Sequence, residues 1–297
     1  MSGRALLLRL QYLVEAAAFF AMVGLFRLLG IERASAVGGW TARTFGPLTP
    51  RHQGAKRRLK RVMPELTDAE AERILFGMWD NLGRTTAELP HLDKFDPLKP
   101  GGRCAVDGLD IVDRLKAAGT GAIFVSGHFA NWELMPMAMD RYGLKGGEIY
   151  RAANNPMVDR YIVSLRSKYV GAKQIPKGPG GVRAIVDVLR KKTYLAMLVD
   201  QKMNDGVEVP FFGIPSMTPS AAAQLSLRHG VPIVPASIER SPGPNFLMRV
   251  FEPILPEATG DRDADLKAIM TRVNAFLEGR IRERPHEWLW IHKRWPD

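Results

Sequence analysis

The chain reads as an α/β protein, with a mixed, largely parallel central sheet flanked by helices and a hydrophobic helix at the N-terminus. Three observations predict this. Apolar runs of strand length, such as 122–125 and 194–199, have the continuous character of buried strands. Longer stretches of helical periodicity fall between such runs, and strands that alternate with helices favour a sheet covered by helices. The first thirty residues are much more apolar than the rest. There is no internal repeat and no low-complexity linker, so the simplest division is an N-terminal segment, 1–30, and one main domain, 31–297.

From the N-terminus, residues 10–26 hold seventeen positions with a single charge, Glu15. A bilayer span needs roughly 20 apolar residues, with a lower limit near 17. The run is too long for a signal-peptide core and lacks a cleavage site. It reads as a membrane anchor, single-pass or partly embedded, or as a helix buried against the body; Glu15 argues against an isolated deep span. Residues 51–61 carry six Lys or Arg and no acid. Beside a hydrophobic helix, such a segment favours the cytoplasmic side and anionic headgroups; a solvated helical face is the competing reading. No aromatic residue is interleaved, as a single-strand nucleic-acid binder would require.

Thr67 and Glu70 form a capping box, and Ile74, Leu75, Met78, Trp79 and Leu82 recur at helical spacing until Pro90. A strand is expected at 104–106 and a helix at 109–117, stopped by Gly119 and Gly121. After the strand 122–125 come a strand at 147–150, helices at 157–169 and 179–192, and a strand at 194–200 that ends in Asp200. A helix at 220–229, strands at 231–238 and 246–251, and a long helix at 261–284 complete the pattern.

Composition narrows the function. With 46% hydrophobic residues the chain can bury a sizeable core, and a net charge of +11 favours anionic partners. The single cysteine, Cys104, excludes an internal disulfide and a Cys-rich zinc site, and suggests a reducing compartment. The six histidines form no His-Glu-x-x-His pattern, so no metal and no cofactor are expected.

The chemistry centres on 122–133, AIFVSGHFANWE. His128 follows a buried strand and a Ser-Gly break, at the carboxyl end of a strand, where α/β sheets bind ligands. Glu133 lies five positions on. In one regular helix the two side chains would point about 140° apart. They meet only if His128 sits in the turn and Glu133 in the first or second turn of the helix. A neutral imidazole there can take a proton, and a carboxylate can fix its tautomer and stabilise the cation. The plain alternative is a capping or solvated histidine. A serine hydrolase built on Ser126 is disfavoured, because there is no Gly-x-Ser-x-Gly elbow.

Four other places invite a role. Arg151, beside Asn154 and Asn155, suits a phosphate or an oxyanion, or a surface salt bridge. Asp200 with Gln201 closes an apolar strand, as a substrate-positioning acid or as a turn residue. Lys177 and the glycine-rich 178–181 could cradle a phosphate, but a simple turn fits better without the Lys-Ser/Thr ending of a nucleotide loop. The apolar 211–213 could wall a channel or pack locally. The tail, 288–295, mixes three tryptophans with His292, Lys293 and Arg294, which suits a membrane interface or a tryptophan-filled core strand.

GHFANWE resembles the His-x4-acid motif of the glycerolipid acyltransferase superfamily. Its Asn-Trp-Glu form resembles one branch, the lipid A biosynthesis late acyltransferases. Tyr150-Arg151 with Asn154-Asn155-Pro156, Val199-Asp200-Gln201, Phe211-Phe212-Gly213 and the 288–295 tail resemble that branch in the same order, over nearly the whole chain. Ala130 departs from it where the branch often has Gly. The resemblance implies a membrane-anchor helix at 1–30 and an acyltransferase domain at 31–297. It implies transfer of a fatty acyl chain from acyl carrier protein to a hydroxyl of a phosphorylated glycolipid, a lipid A precursor, at the cytoplasmic face of the inner membrane. A glycerolipid or mannosylated-lipid acceptor is the alternative. A non-enzymatic basic membrane- or nucleic-acid-binding protein is a further one; of the two surfaces the anionic membrane is the expected partner, not nucleic acid. His128 would then be the general base and Glu133 its orienter, with Arg151, Asn154, Asp200 and Gln201 around the acceptor.

Overall fold

The computed structural model describes residues 3–295. Three helices come first: α1 (Gly3–Phe45), α2 (Pro50–Val62) and α3 (Asp68–Glu88). Gly30, at φ 72° and ψ 164°, interrupts α1. The two oxygens of the expected capping box are in place at the start of α3: the Thr67 hydroxyl accepts from the Glu70 backbone N–H, and the Glu70 carboxylate accepts from Thr67 N–H. α1 and α3 cross closely at Gly38 and Gly83, where a Cβ on either residue would overlap the other's carbonyl oxygen.

The sheet contains β1 (Cys104–Asp107), β2 (Ala122–Ser126), β3 (Gly146–Tyr150), β4 (Lys173–Pro176), β5 (Tyr194–Leu198), β8 (Ile233–Ser241) and β9 (Asn245–Val250). Their order is β1-β9-β8-β2-β5-β3-β4. Every neighbouring pair is parallel except the hairpin β8–β9, so the mixed, largely parallel sheet stands. All five residues of β2, the central strand, are buried. Helices α4 (Leu109–Ala118), α5 (Met135–Arg141), α6 (Pro156–Tyr169), α7 (Val182–Arg190), α8 (Ala221–His229) and α9 (Arg262–Glu283) join and cover the strands.

Three elements differ from the sequence reading. β4 was not expected; its four residues alternate little and gain their order from pairing with β3. β8 runs on to Ser241 because it pairs with β9 as far as Ser241 and Asn245. Residues 207–218 form a separate, unexpected hairpin, β6 (Val207–Phe211) with β7 (Ile214–Thr218), turning at Phe212 and Gly213. Phe212 and Gly213 both have positive φ, 54° and 71°, as a tight two-residue hairpin turn requires.

The N-terminal helix is long and apolar enough to cross a membrane, and it packs only partly against the body. Asn155 donates to the carbonyl of Tyr12 and to Glu15, and Phe19 and Phe20 meet the ring of Tyr161 edge-on, so one stripe of α1 lies along α6. Val23 and Phe26 are buried as well, but most other positions before Gly30 are bare: Leu7 and Val14 are each 69% exposed and Leu28 87%. The tail lies inside. Trp288, Trp290, Arg294 and Trp295 are buried, and Phe211 stacks on Trp295. The tryptophans are therefore core, which removes the membrane-interface reading for them. They do not form a strand either; Trp288 makes an isolated bridge to Phe129.

Candidate active site

His128 and Asp200 leave adjacent parallel strands at matched positions. Ser126 of β2 pairs with Leu198 of β5, and each of the two residues lies two places further on. Parallel register therefore sets them side by side, although 72 residues separate them. His128 Nδ1 lies 2.8 Å from Asp200 Oδ1. The His128 backbone N–H donates to Oδ2 at 2.9 Å, and the indole N–H of Trp288 donates to the same oxygen at 2.8 Å. Asp200 is fully buried. Burial opposes its ionisation, but the charge and hydrogen bonds of His128 outweigh this and hold the carboxyl below the usual carboxylate range. An ionised Asp200 makes Nδ1 the protonated nitrogen of a neutral His128. The lone pair is then on Nε2, and His128 lines the cavity described below.

Glu133 does not hold His128. It lies in a short 3₁₀ turn, Trp132–Leu134, and its two oxygens accept from Arg166 of α6 at 2.8 and 2.6 Å. The contact to the imidazole expected of Glu133 is made by Asp200. The physical reason is direction: after Asn131 the chain turns the Glu133 side chain toward α6, where a guanidinium satisfies both oxygens. Arg166 lines the cavity and also lies 5.7 Å from the ring of Tyr150.

The loop between these residues is braced by α3. Ala130 has φ 40°, the left-handed region that favours glycine. Its carbonyl accepts from Asn81 and Thr85, and its N–H donates to the Glu287 carbonyl. The buried Glu88 accepts from Asn131, Ser35 and the guanidinium of Arg240. Glu88 thus fixes the segment that carries His128.

A cavity of about 530 Å³ opens beside His128, within the range of small-ligand sites. Its walls are mostly apolar, among them Phe124, Met139, Ala196, Met197, Met248 and Val250, and it runs from the strand ends to the α4 side of the sheet. Arg151, Arg166, Lys177 and Gln201 also line it. Glu148 of β3 faces it too; burial pushes that carboxyl up to about 7. Asn154 is exposed and does not line the cavity, whereas Asn155 caps α6 and ties down α1. Phe211 and Phe212 pack against Trp295, away from the cavity, so they wall no channel here.

The bacterial lipid A biosynthesis acyltransferase family model matches residues 3–297, essentially the whole chain. The chain belongs to that family. This acyltransferase is 26% identical over 256 residues to a phosphatidylinositol mannoside acyltransferase of Mycobacterium tuberculosis, covering 82% of this chain and 78% of that protein. It is 26% identical over 261 residues to the lipid A biosynthesis palmitoleoyltransferase of Escherichia coli K12, covering 86% and 81%. It is 24% identical over 242 residues to the lipid A biosynthesis myristoyltransferase of the same strain, covering 79% and 72%.

Two site residues escaped the sequence reading. Arg166 lies mid-helix with no local motif around it, and His292 was seen only as part of a tail of mixed character. Asp200 was singled out, but as a substrate contact. The available signal was that both His128 and Asp200 follow apolar strands closely; strand order decides whether such ends meet.

Proposed function

We propose that this acyltransferase moves a fatty acyl chain from the thioester of acyl carrier protein to a hydroxyl of a phosphorylated glycolipid, a lipid A precursor. The observation that carries the reading is an Asp200-bound imidazole at an apolar cavity. The acyl chain occupies the cavity. His128 Nε2 takes the hydroxyl proton as that oxygen forms its bond to the thioester carbonyl carbon. Asp200 stabilises the imidazolium. As the C–S bond breaks, His128 returns the proton to the leaving thiolate. General base catalysis of this kind contributes about 10²–10⁴-fold, and the positioning of two bound lipids supplies much of the rest. Arg151 and Lys177 offer cations to the acceptor phosphate, and Gln201 borders the acceptor hydroxyl. Glu133 acts at one remove, by fixing Arg166 in the cavity wall.

In this reading residues 1–30 embed in the cytoplasmic leaflet of the inner membrane. Contacts between residues 12–20 and α6 keep the helix against the body while its bare leucines enter lipid. The basic residues of α2 meet anionic headgroups. The +11 charge suits an acidic carrier protein.

A second reading is favoured by the mycobacterial relative: a mannosylated phosphatidylinositol lipid as acceptor. The test incubates the purified protein with a mixed pool of acyl carrier protein thioesters and both lipid classes, followed by mass analysis. Acylated glucosamine lipid supports the first reading and acylated mannoside the second. Full turnover by His128→Ala would remove the mechanism common to both.

A further inference from the structure

His128 has a second imidazole beside it. The ring of His292 lies 5.1 Å from that of His128, centroid to centroid, tilted by 57°. One atom joins them: Gln201 Nε2 is 3.0 Å from His292 Nε2 and 3.4 Å from His128 Nε2. A carboxamide nitrogen carries two hydrogens, so it can donate to both rings at once. That requires an unprotonated Nε2 on each. In the neutral form His128 meets the requirement, because Asp200 accepts the hydrogen bond from Nδ1. Burial, and then the neighbouring His128, lower the basicity of His292 to about 4, which keeps it neutral; with its one hydrogen on Nδ1, its Nε2 is an acceptor too. The charged and titratable groups facing His292 are His128, Asp200, Arg58 and Arg151, from four different segments; only Asp200 favours a cation there. Arg58 reaches this corner from α2 through its bond to the Trp290 carbonyl.

We propose that Gln201 and His292 are positioning residues that hold the acceptor hydroxyl at His128, an inference that rests on the transfer reaction above. The two bonds are unequal. The 3.4 Å contact to His128 is the weaker and yields to an arriving hydroxyl, while the 3.0 Å bond keeps the amide anchored on His292. The hydroxyl then sits between two groups. It gives its hydrogen to His128 Nε2 and accepts one from Gln201 Nε2, which leaves its remaining lone pair for the thioester carbonyl carbon. The charge state of His292 decides which end of the amide faces His128. With a neutral acceptor at His292 Nε2, the NH₂ end faces the site. A protonated His292 would demand the amide oxygen instead. That oxygen would then oppose the His128 lone pair and offer the hydroxyl no donor.

The experiment compares Gln201→Leu, Gln201→Glu, His292→Phe and His292→Asn with the parent and with His128→Ala. Lauroyl-acyl carrier protein is the donor and a bisphosphorylated glucosamine disaccharide lipid the acceptor, measured from pH 5 to 9. Gln201→Leu and His292→Phe should each lower kcat/KM about 10–100-fold, with binding of the acyl donor unchanged. His292→Asn, which restores an acceptor for the amide, should recover most of the loss. Gln201→Glu should move the acid limb of the rate profile upward by a pH unit or more, since a carboxylate at Nε2 favours imidazolium. In ¹⁵N spectra of the unliganded protein, both rings should show an unprotonated Nε2 at pH 7. If Gln201→Leu and His292→Phe keep parental kcat/KM while His128→Ala is inactive, the positioning role is wrong and the transfer reading stands. If His292→Phe loses activity without rescue by Asn, or only in step with lost folding, the role of His292 is structural and the proposal fails. If His128→Ala is fully active, the failure lies in the transfer reading itself.

Discussion

Asp200 grips His128 at two points, the backbone N–H at 2.9 Å and the ring Nδ1 at 2.8 Å, one to each carboxylate oxygen. The first contact fixes the residue and the second fixes its tautomer. Asp200→Asn keeps the shape and removes the charge. An amide that donates to Nδ1 would leave the proton on Nε2, where the lone pair is needed. We expect kcat/KM to fall about 10²–10⁴-fold, as general base catalysis is worth. Steady-state kinetics check this, with circular dichroism to confirm folding.

Glu133→Gln should behave differently, because its carboxylate touches Arg166 and not the imidazole. Both side chains are about 13% exposed. Removing one partner of such a pair leaves an uncompensated charge, at a cost of about 3–5 kcal/mol, whereas the double change Glu133→Gln with Arg166→Met should recover a large part. Urea unfolding of the two singles and the double measures the coupling. Equal losses that simply add would show that the pair is not coupled.

Ala130 stands at φ 40°, held there by Asn81 and Thr85, which donate to its carbonyl, and by its own N–H, which donates to the Glu287 carbonyl. Ala130→Gly should stabilise the fold by up to about 1 kcal/mol, since relief of left-handed strain exceeds the entropy of a more flexible unfolded chain. A thermal midpoint lower than the parent's would count against a strained loop.

Glu148 gives stability a pH dependence. Its carboxyl ionises near 4.5 in the unfolded chain and is pushed up to about 7 by burial in the fold. Between those values the native state binds a proton that the unfolded state does not. Stability therefore falls as pH rises from about 4.5 to 7 and levels off above, by about 2–3 kcal/mol. Glu148→Gln should flatten that portion of the curve, as read by unfolding free energies across pH 4–8. His292 acts in the opposite sense. Neutral in the fold down to about 4 and charged in the unfolded chain below about 6.5, it lowers stability as pH falls through that window.

The bare face of α1 should hold the protein on lipid. Leu7→Glu, Val14→Glu and Leu28→Glu replace side chains that are 69%, 69% and 87% exposed. Each should weaken binding to anionic phospholipid vesicles about tenfold or more, the equivalent of one large apolar side chain kept out of the bilayer. Sedimentation with vesicles at fixed salt reads this directly, and unchanged binding in the triple variant would place the contact elsewhere.

Local chemistry made much of this molecule legible. The capping box at Thr67, the apolar run into Ser126, the acid that closes the strand at Asp200 and the helices at 157–169 and 261–284 depend on neighbours in the chain, and those are written in the order of residues. So was the family whose motifs surround His128. Other features depend on which strands become neighbours. The choice of Asp200 over Glu133 follows from β5 lying next to β2 in register, and from α6 bringing Arg166 to the closer acid. The burial of the tail tryptophans, the meeting of His292 with Gln201 and the bracing of Ala130 by α3 likewise join segments far apart in sequence. Spacing along a chain limits what two side chains can do within one element. Between elements, the partner of a side chain is set by sheet order and packing, and those exist only once the chain has folded.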